Sequence, residues 1–313
     1  MNKLFGLCIA LLLLQSGNAQ RADSVYLFSY FKGNGEDGLH LAYSNDGYQW
    51  QALKNDSSFL TPQVAKDKLM RDPCIIHGAD HRFHMVWTVS WNDRGIGYAS
   101  SPDLLHWSQQ QFIPVMKVEP NARNCWAPEI FYDAPSSRYM IYWASTIPGR
   151  FMEGDTAGDD KYNHRLYYVT TNDFNTFSKT ALLYNQGFNV IDATIQRSGK
   201  QYIMFLKDET KKPPQKNLRI AISDSLSTGY GKPSAPITGK YWAEGPTVIT
   251  IKGEWFVYFD KYTEHRYGAV KSADLLHWTD ISASVHFPEG TRHGTVFTLS
   301  RKEFDQLQAA AGR

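Results

Sequence analysis

The sequence predicts an all-β fold, a five-bladed β-propeller in which N-terminal strands pair with the C-terminal strand to close the ring. Three observations support this prediction. A segment with Ser or Thr before an Asp, and an aromatic residue four positions after it, recurs along the chain. A second pattern, a short β-prone run, also occurs five times. No sustained helical period occurs before Lys302 to Ala311.

The first pattern marks five segments of the chain. Its complete copies run from Asp46 to Trp50, Asp103 to Trp107, Asp173 to Phe177 and Asp274 to Trp278, and a degenerate copy at Asp224 has only the displaced Tyr230. The Asp-to-Asp intervals are 57, 70, 51 and 50 residues, which fits one four-stranded blade per interval. The recurring Trp residues are therefore interpreted as blade packing.

The second pattern is a short strand opened by a polar or charged residue beside Pro, Gly or Ala. It occurs at Arg71–Ile76, Trp126–Ile130, Ile191–Ile195, Glu244–Val248 and His293–Phe297. No such run precedes Asp46, and no Asp segment follows His293. The strands near residues 25 to 50 are thus expected to pair with the strand after His293 and complete the fifth blade. A β-sandwich or barrel with coincidental spacing is the alternative.

The innermost strands of a propeller converge on its axis, so residues that open them face one another at the hub. Here those residues are Asp72, Glu129, Asp192, Glu244 and His293. Carboxylates that face one another in a closed space repel, and the pKa of at least one of them rises. The arrangement predicts a functional pocket at the hub.

Composition narrows the class of ligand. The chain has 313 residues, of which 42% are hydrophobic and 14% aromatic, and 33 basic residues against 31 acidic ones give a net charge of +2. This balance supplies no electrostatic attraction to nucleic acid or to a membrane. Aromatic rings suit the flat faces of sugars. We therefore expect a carbohydrate ligand. We also expect the protein to be a monomer.

The N-terminus has the features of an export signal. Lys3 precedes an apolar run from Leu4 to Leu14, and Ala19 ends a short polar stretch. Residues 1–19 are predicted to be a signal peptide and residues 20–313 a single catalytic domain, exported to the periplasm or the extracellular space. We expect no membrane span. Cys74 and Cys125 would remain, either as a disulfide or as two buried thiols.

Two carboxyl groups of different pKa, lined by aromatic residues, are what glycosidic bond hydrolysis requires. Asp72 and Glu244 form the natural pair, because a Pro-containing turn follows each of them. Asp192 is expected to hold the proton on Glu244 through charge repulsion. The competing interpretation is that these carboxylates only cap turns.

The opening runs also resemble a known family. Arg71-Asp72-Pro73, Ile191-Asp192-Ala193 and Glu244-Gly245-Pro246 resemble the three catalytic segments of family-43 glycoside hydrolases. The resemblance implies an inverting mechanism with Asp72 as general base, Asp192 as modulator and Glu244 as general acid. A secreted α-L-arabinofuranosidase that removes terminal sugar units from plant-type polysaccharides or oligosaccharides is the first choice of function.

Other functions stay open on this resemblance. Members of the family it resembles with the same fold also include β-xylosidases, arabinanases, galactofuranosidases and galactanases, and these activities are the alternatives. Retaining propellers that act on fructosides and a non-catalytic carbohydrate-binding propeller are the rivals. The retaining design would place the two carboxyl groups about 5 Å apart, against about 6.5 to 9.5 Å for inversion.

Several further residues are expected to serve the site. Trp126 and Trp91 are candidates for stacking on a sugar, and Arg292 and Arg71 for binding its hydroxyl or carboxylate groups. By the resemblance, His293 holds a Ca²⁺ or other structural cation at the hub through water, or else it hydrogen-bonds a neighbouring carboxylate. No cofactor is expected to be required. Glu129 is expected to be a scaffold, and Trp242 allows either a packing or a ligand role. The insertion at residues 147–164 is expected to rim the pocket.

Overall fold

The computed structural model describes residues 24–151 and 161–312, and within these ranges nineteen strands form five antiparallel sheets. One sheet contains β1 (Ser24–Tyr30), β2 (His40–Ser44), β3 (Gln51–Ala52) and β19 (Thr295–Ser300), and the next contains β4 (Arg71–His77), β5 (Phe83–Thr88), β6 (Ile96–Ser101) and β7 (Gln111–Ile113). The third contains β8 (Trp126–Asp133), β9 (Arg138–Thr146), β10 (His164–Thr171) and β11 (Ala181–Tyr184). The fourth contains β12 (Val190–Ser198), β13 (Gln201–Asp208) and β14 (Asn217–Ser223), and the fifth β15 (Glu244–Ile251), β16 (Glu254–Lys261), β17 (Arg266–Ser272) and β18 (Thr279–Asp280). A 3-10 turn (Lys54–Asp56) and a C-terminal helix α1 (Arg301–Ala311) complete the described elements.

The five sheets are arranged as the blades of a propeller. The strands β4, β8, β12, β15 and β19 contact one another in cyclic order and form the hub. The strand order of the first sheet is β19–β1–β2–β3, and β1 pairs with β19 from Ser24 opposite Ser300 to Ser29 opposite Thr295. The prediction of an all-β, five-bladed propeller is confirmed.

The repeated Asp forms the turn that follows the third strand of a blade. In each complete copy its Oδ1 accepts hydrogen bonds from the backbone N–H groups two and three residues further on, as Asp46 does from Tyr48 at 2.7 Å and Gln49 at 2.9 Å. This local turn lets the chain reverse into the outermost strand. The degenerate copy at Asp224 follows β14, and within the described residues that blade has three strands.

Aromatic side chains pack the blades against one another. The Trp50 ring, from the first blade, lies 5.5 Å from the ring of Tyr258 in the fifth blade in an edge-on arrangement, and it stacks on Phe287 at 5.1 Å. Trp50 is buried, as the packing interpretation requires. Helix α1 buries Phe304 and Leu307 against the first and second blades.

Cys74 and Cys125 are buried free thiols, so the expected alternative of two unpaired cysteines holds and the disulfide does not. In the described part of the chain, no helix is long and apolar enough to cross a membrane. The predicted signal peptide lies outside the described residues.

Candidate active site

Four of the five hub strands begin with a β-bulge, and the bulge places the candidate residues. The pairing register shifts near the start of β4, β8, β12 and β15. In each shift one residue has a positive φ: 51° at Asp72, 46° at Ala127, 50° at Asp192 and 60° at Gly245. A bulge bends the strand and redirects its side chains. A non-glycine residue held at positive φ stores strain of about 1 to 3 kcal/mol, which is typical of functional sites.

The bulges sort the predicted hub residues into different positions along their strands. Asp72 and Asp192 occupy the bulge position itself, whereas Glu244 precedes the bulge residue of its strand by one position. Glu129 follows its bulge residue by two positions. Glu129 therefore lies further along its strand than Asp72, Asp192 and Glu244 lie along theirs, although its charge still acts on His293 at the hub.

Glu129 instead lines a cavity of about 400 Å³ together with Cys74, Thr194, Thr247 and Thr295. Its Oε2 accepts a hydrogen bond from Thr194 Oγ1 at 3.0 Å and its Oε1 one from Thr295 Oγ1 at 3.3 Å. Burial raises the pKa of Glu129 to about 7. These contacts tie three blades together and agree with a scaffold role.

Asp72 is held as an anion by two neighbours. Its Oδ2 accepts a hydrogen bond from Thr88 Oγ1 at 2.7 Å, and its Oδ1 lies 3.3 Å from His293 Nδ1. Burial alone would raise the pKa of Asp72, but the contact with His293, the charge of Arg71 and the Thr88 hydroxyl lower it to about 2. The same ion pair outweighs burial at His293 and raises the pKa of that ring to about 9.

The pKa of Asp192 differs from that of Asp72. Its Oδ2 accepts a hydrogen bond from the backbone N–H of Gly245 at 3.0 Å. Burial raises the pKa of Asp192 to about 6, and the charges of Glu244 and Asp72 contribute in the same direction. Gly245 is required where it stands, because a Cβ there would lie 2.4 Å from the His293 ring and its φ is positive.

Glu244 contacts two cations. Its Oε2 accepts a hydrogen bond from Lys207 Nζ at 2.9 Å, and its Oε1 lies 3.4 Å from Arg292 Nη2. Burial would raise the pKa of Glu244, but Lys207 and Arg292 lower it below its ordinary value. Lys207 and Arg292 therefore outweigh the charge of Asp192 at Glu244, and the role of Asp192 as modulator stays a prediction.

Arg292 links Glu244 to a fourth acidic group. Its Nε donates to Asp260 Oδ2 at 2.6 Å. Burial and the Glu244 charge raise the pKa of Asp260 to about 6. Arg292 thus bridges two carboxyl groups that face each other across β15 and β16, where Glu244 and Asp260 are paired in register. Its predicted contact with the substrate stays a prediction.

Arg71 and the two predicted tryptophans form an aromatic wall beside Asp72. The Arg71 guanidinium lies 4.3 Å from the centre of the Trp91 ring and 4.7 Å from that of Phe31, and its Nη1 donates to Asn34 Oδ1 at 3.0 Å. The Trp91 and Trp126 rings meet edge to face at 5.6 Å. Trp91 is 43% exposed, so part of this side chain is accessible to a ligand.

The insertion contributes to the same wall through its described end. The Tyr162 ring lies 4.7 Å from Trp126, and its hydroxyl donates to Asn92 Oδ1 at 3.2 Å. The acidic residues Glu153, Asp155, Asp159 and Asp160 of this insertion lie outside the described residues. Trp242, two residues before Glu244, is 41% exposed, and its ring centre lies 6.0 Å from that of Tyr262.

His293 pairs with a carboxylate, which is one of the two roles expected for it. A protonated imidazole has no lone pair to offer a cation, so His293 as placed does not fit a metal ligand. No group of three or more His, Cys, Asp or Glu side chains among the described residues is arranged to hold a metal ion. The water-mediated cation stays a prediction.

Three residues of the site were missed by the sequence reasoning: Thr88, Lys207 and Asp260. All lie near the end of the second strand of a blade, and the register pairs them with Arg71, Ile191 and Glu244 at the start of the innermost strand. A polar residue that ends an otherwise apolar strand was the available signal, as in Tyr202-Ile-Met-Phe-Leu-Lys207.

Comparisons with known proteins agree with this architecture. A family model described as a probable glycosyl hydrolase domain, related to family 43, matches residues 23–305. An α-L-arabinofuranosidase of Bifidobacterium longum subsp. longum is 24% identical over 190 residues, which span 53% of this chain and 17% of that protein. The chain therefore matches about a sixth of that relative's length.

Solved structures show the same fold at low sequence identity. A thermostable family-43 glycoside hydrolase has a TM-score of 0.52 and 16% identity, with coverage of 67% of this chain and 71% of that one. An α-L-arabinofuranosidase from Lactobacillus brevis has a TM-score of 0.52 and 19% identity over 67% and 72% of the two chains. A family-43 β-1,3-galactosidase has a TM-score of 0.56 and 13% identity over 79% and 54%.

A family model that spans the propeller, together with the bulged hub strands and their carboxylates, establishes that the chain belongs to the family-43-related glycoside hydrolases.

Proposed function

We propose that this protein is an inverting glycosidase that removes terminal α-L-arabinofuranosyl units, with Asp72 as general base, Asp192 as modulator and Glu244 as general acid. The observation that supports it best is the convergence at one hub of three carboxyl groups with different proton affinities, of which Asp192 is buried and Asp72 and Glu244 are partly buried. Asp72 is fully ionised, Asp192 has a pKa of about 6, and Glu244 lies between two cations. Inversion needs one ionised and one protonated carboxyl group on opposite sides of the sugar.

Asp72 is suited to activate water. Its ion pair with His293 and its hydrogen bond from Thr88 fix both carboxylate oxygens. An anion at this position accepts a proton from water as the water oxygen attacks the anomeric carbon. The charge of His293 keeps Asp72 ionised before that step.

Glu244 must carry a proton when the glycosidic oxygen departs. Lys207 and Arg292 hold its pKa below the ordinary value, so only a small fraction of Glu244 is protonated at neutral pH. The proposed mechanism consequently has an acidic pH optimum. Binding of a neutral sugar excludes water from the hub, which favours the protonated form of Glu244.

The choice of sugar rests on the relatives. The Bifidobacterium protein and the Lactobacillus structure are both named α-L-arabinofuranosidases. The exposed part of Trp91 and the neighbouring Arg71 offer stacking and hydrogen-bonding groups to a neutral ring. We also propose export, since the N-terminal sequence has the features of a signal peptide.

A panel of 4-nitrophenyl glycosides tests the substrate. We expect the α-L-arabinofuranoside to be hydrolysed with the highest kcat/KM, ahead of the β-xyloside, β-galactofuranoside and β-galactoside. Faster cleavage of any other member would replace the proposed sugar and leave the glycosidase assignment in place.

The Glu244→Gln variant tests the enzyme class. We expect it to lose turnover by about 100-fold or more, the usual contribution of a general acid, and to keep its affinity for sugar in calorimetry. Glu254→Gln is the matched control, because Glu254 pairs with Lys271 at 2.9 Å away from the hub. Unchanged turnover in Glu244→Gln would contradict the proposed mechanism.

A further inference from the structure

Lys207 is a buried cation whose charge is balanced by two carboxylates. It lies on β13, is 1% exposed, and pairs in register with Ile191, the residue before Asp192. Its Nζ lies 2.9 Å from Glu244 Oε2 and 2.6 Å from Glu209 Oε2. A buried ammonium without partners would be strongly destabilising, so this geometry is held by the pair of anions.

The network continues away from the hub. Glu209 also forms an ion pair with Lys216, and the Nζ of Lys216 lies 5.7 Å from the centre of the Trp242 ring. The Nζ of Lys207 lies 4.7 Å from the centre of the Tyr262 ring. Lys207 is thus restrained by a second anion and an aromatic face, and its position does not depend on Glu244 alone.

We propose that Lys207 is a positioning residue for Glu244: by occupying Oε2 it leaves Oε1 as the atom that donates the proton, and it sets the pH range of that donation. This inference deepens the proposed function and rests on the role of Glu244 as general acid.

The chemistry of the two oxygens supports this assignment. A lysine ammonium only donates hydrogen bonds, so the carboxylate oxygen that it contacts at 2.9 Å must act as an acceptor. The proton of a carboxylic acid then resides on the other oxygen. Arg292 Nη2 approaches Oε1 at 3.4 Å, a long contact that a protonated Oε1 can lose at little cost.

The charge of Lys207 changes the pKa of Glu244 in a definite direction. The charged and titratable groups around Glu244 and Lys207 are Asp192 on β12, Glu209 after β13, Arg71 and Asp72 on β4, Asp260 on β16, Tyr262 after β16, Tyr267 on β17, and Arg292 and His293 before β19. Burial raises the pKa of Glu244, and Lys207 is the largest of the influences that lower it. Removal of Lys207 must therefore raise this pKa and extend activity to higher pH.

Two variants test the proposal through shifts of opposite sign. In Lys207→Met the basic limb of kcat/KM should move up by about one pH unit or more. In Glu209→Gln it should move down, because Lys207 then acts on Glu244 without a competing anion. Lys261→Met is the matched control: Lys261 is equally buried, lies 2.8 Å from Glu264 and sits over the Tyr241 ring, and we expect no shift.

A pair of substrates separates positioning from a general loss of structure. The rate with an unsubstituted phenyl glycoside depends on proton donation, whereas a 2,4-dinitrophenyl glycoside leaves without it. For Lys207→Met we expect kcat/KM to fall about tenfold more with the phenyl glycoside than with the dinitrophenyl one. An equal fall with both substrates would contradict a role in proton donation.

The outcomes distinguish this inference from the proposed function. If Glu244→Gln loses turnover but the basic limb is unmoved in folded Lys207→Met and in Glu209→Gln, the inference is wrong and the function stands. If Glu244→Gln retains turnover on the phenyl glycoside, the function itself is wrong. Should Lys207→Met fail to fold, the direction of the shift in Glu209→Gln decides.

Discussion

The Asp72–His293 ion pair makes a quantitative prediction about stability. The pKa of His293 rises from 6.5 to about 9 in the folded protein, and at about 1.4 kcal/mol per pKa unit the protonated ring contributes about 3 kcal/mol. Asp192 and Glu129 also raise this pKa, so we assign about 2 kcal/mol of the stabilisation to Asp72. Asp72→Asn preserves the shape of the side chain and removes the stabilisation that the Asp72 charge provides.

The sign of the pH dependence follows from the two pKa values. The His293 contribution is complete below pH 6.5 and is lost as the pH rises through about 9. The Asp72 contribution is present above its ordinary pKa of 3.8 and is lost as the pH falls through about 2. The difference in unfolding free energy between the wild type and Asp72→Asn should thus be largest between these limits.

Urea unfolding of both proteins from pH 5 to pH 10 measures this difference. We expect the two unfolding free energies to differ by about 2 kcal/mol at pH 6, and we expect this difference to shrink toward pH 10 as His293 loses its proton. NMR titration of the His293 ring provides an independent measurement, with a pKa near 9 in the wild type and a lower one in Asp72→Asn. A constant difference across this range, or a wild-type His293 pKa near 6.5, would refute the reasoning.

Three further predictions concern other parts of the hub. Thr88→Val should destabilise the fold by about 1 to 3 kcal/mol in urea unfolding, because Asp72 loses a donor and the Ala127 amide an acceptor; a change below about 0.5 kcal/mol would contradict this. Burial raises the pKa of Glu129 from 4.5 to about 7, so the wild type loses stability as the pH rises between these values. The unfolding free energy of Glu129→Gln should therefore rise by about 3 kcal/mol relative to that of the wild type over this range. Parallel pH profiles of the two unfolding free energies would contradict this. Trp91→Ala should raise KM about fivefold with kcat unchanged, as expected for a stacking contact; an unchanged KM would remove Trp91 from the binding surface.

The repeat and the opening runs were sufficient to predict the propeller. Each complete Asp segment encodes a turn whose hydrogen bonds are local, so the residues that form it are adjacent in the sequence. The degenerate copy at Asp224 even coincides with the blade that has three described strands. Local chemistry of this kind is directly readable from a sequence.

The protonation of the site was not predictable in the same way. Lys207 and Asp260 lie on second strands, and their contacts with Glu244 and Arg292 depend on register and on the bulge before Thr247. A separate bulge at Ala127 in β8 places Glu129 two positions after the bulge residue, whereas Asp72 and Asp192 occupy the bulge position itself. A shift of one residue in a strand reverses the direction of its side chains, and the sequence patterns did not specify that shift.

The stereochemistry of the first product tests the central claim most directly. If Asp72 activates water while Glu244 protonates the leaving group, hydrolysis of a 4-nitrophenyl α-L-arabinofuranoside followed by proton NMR should show β-L-arabinofuranose first, before mutarotation. The α-anomer as first product would mean that a carboxylate attacks the sugar itself, and it would contradict the assignment of Asp72 as a base.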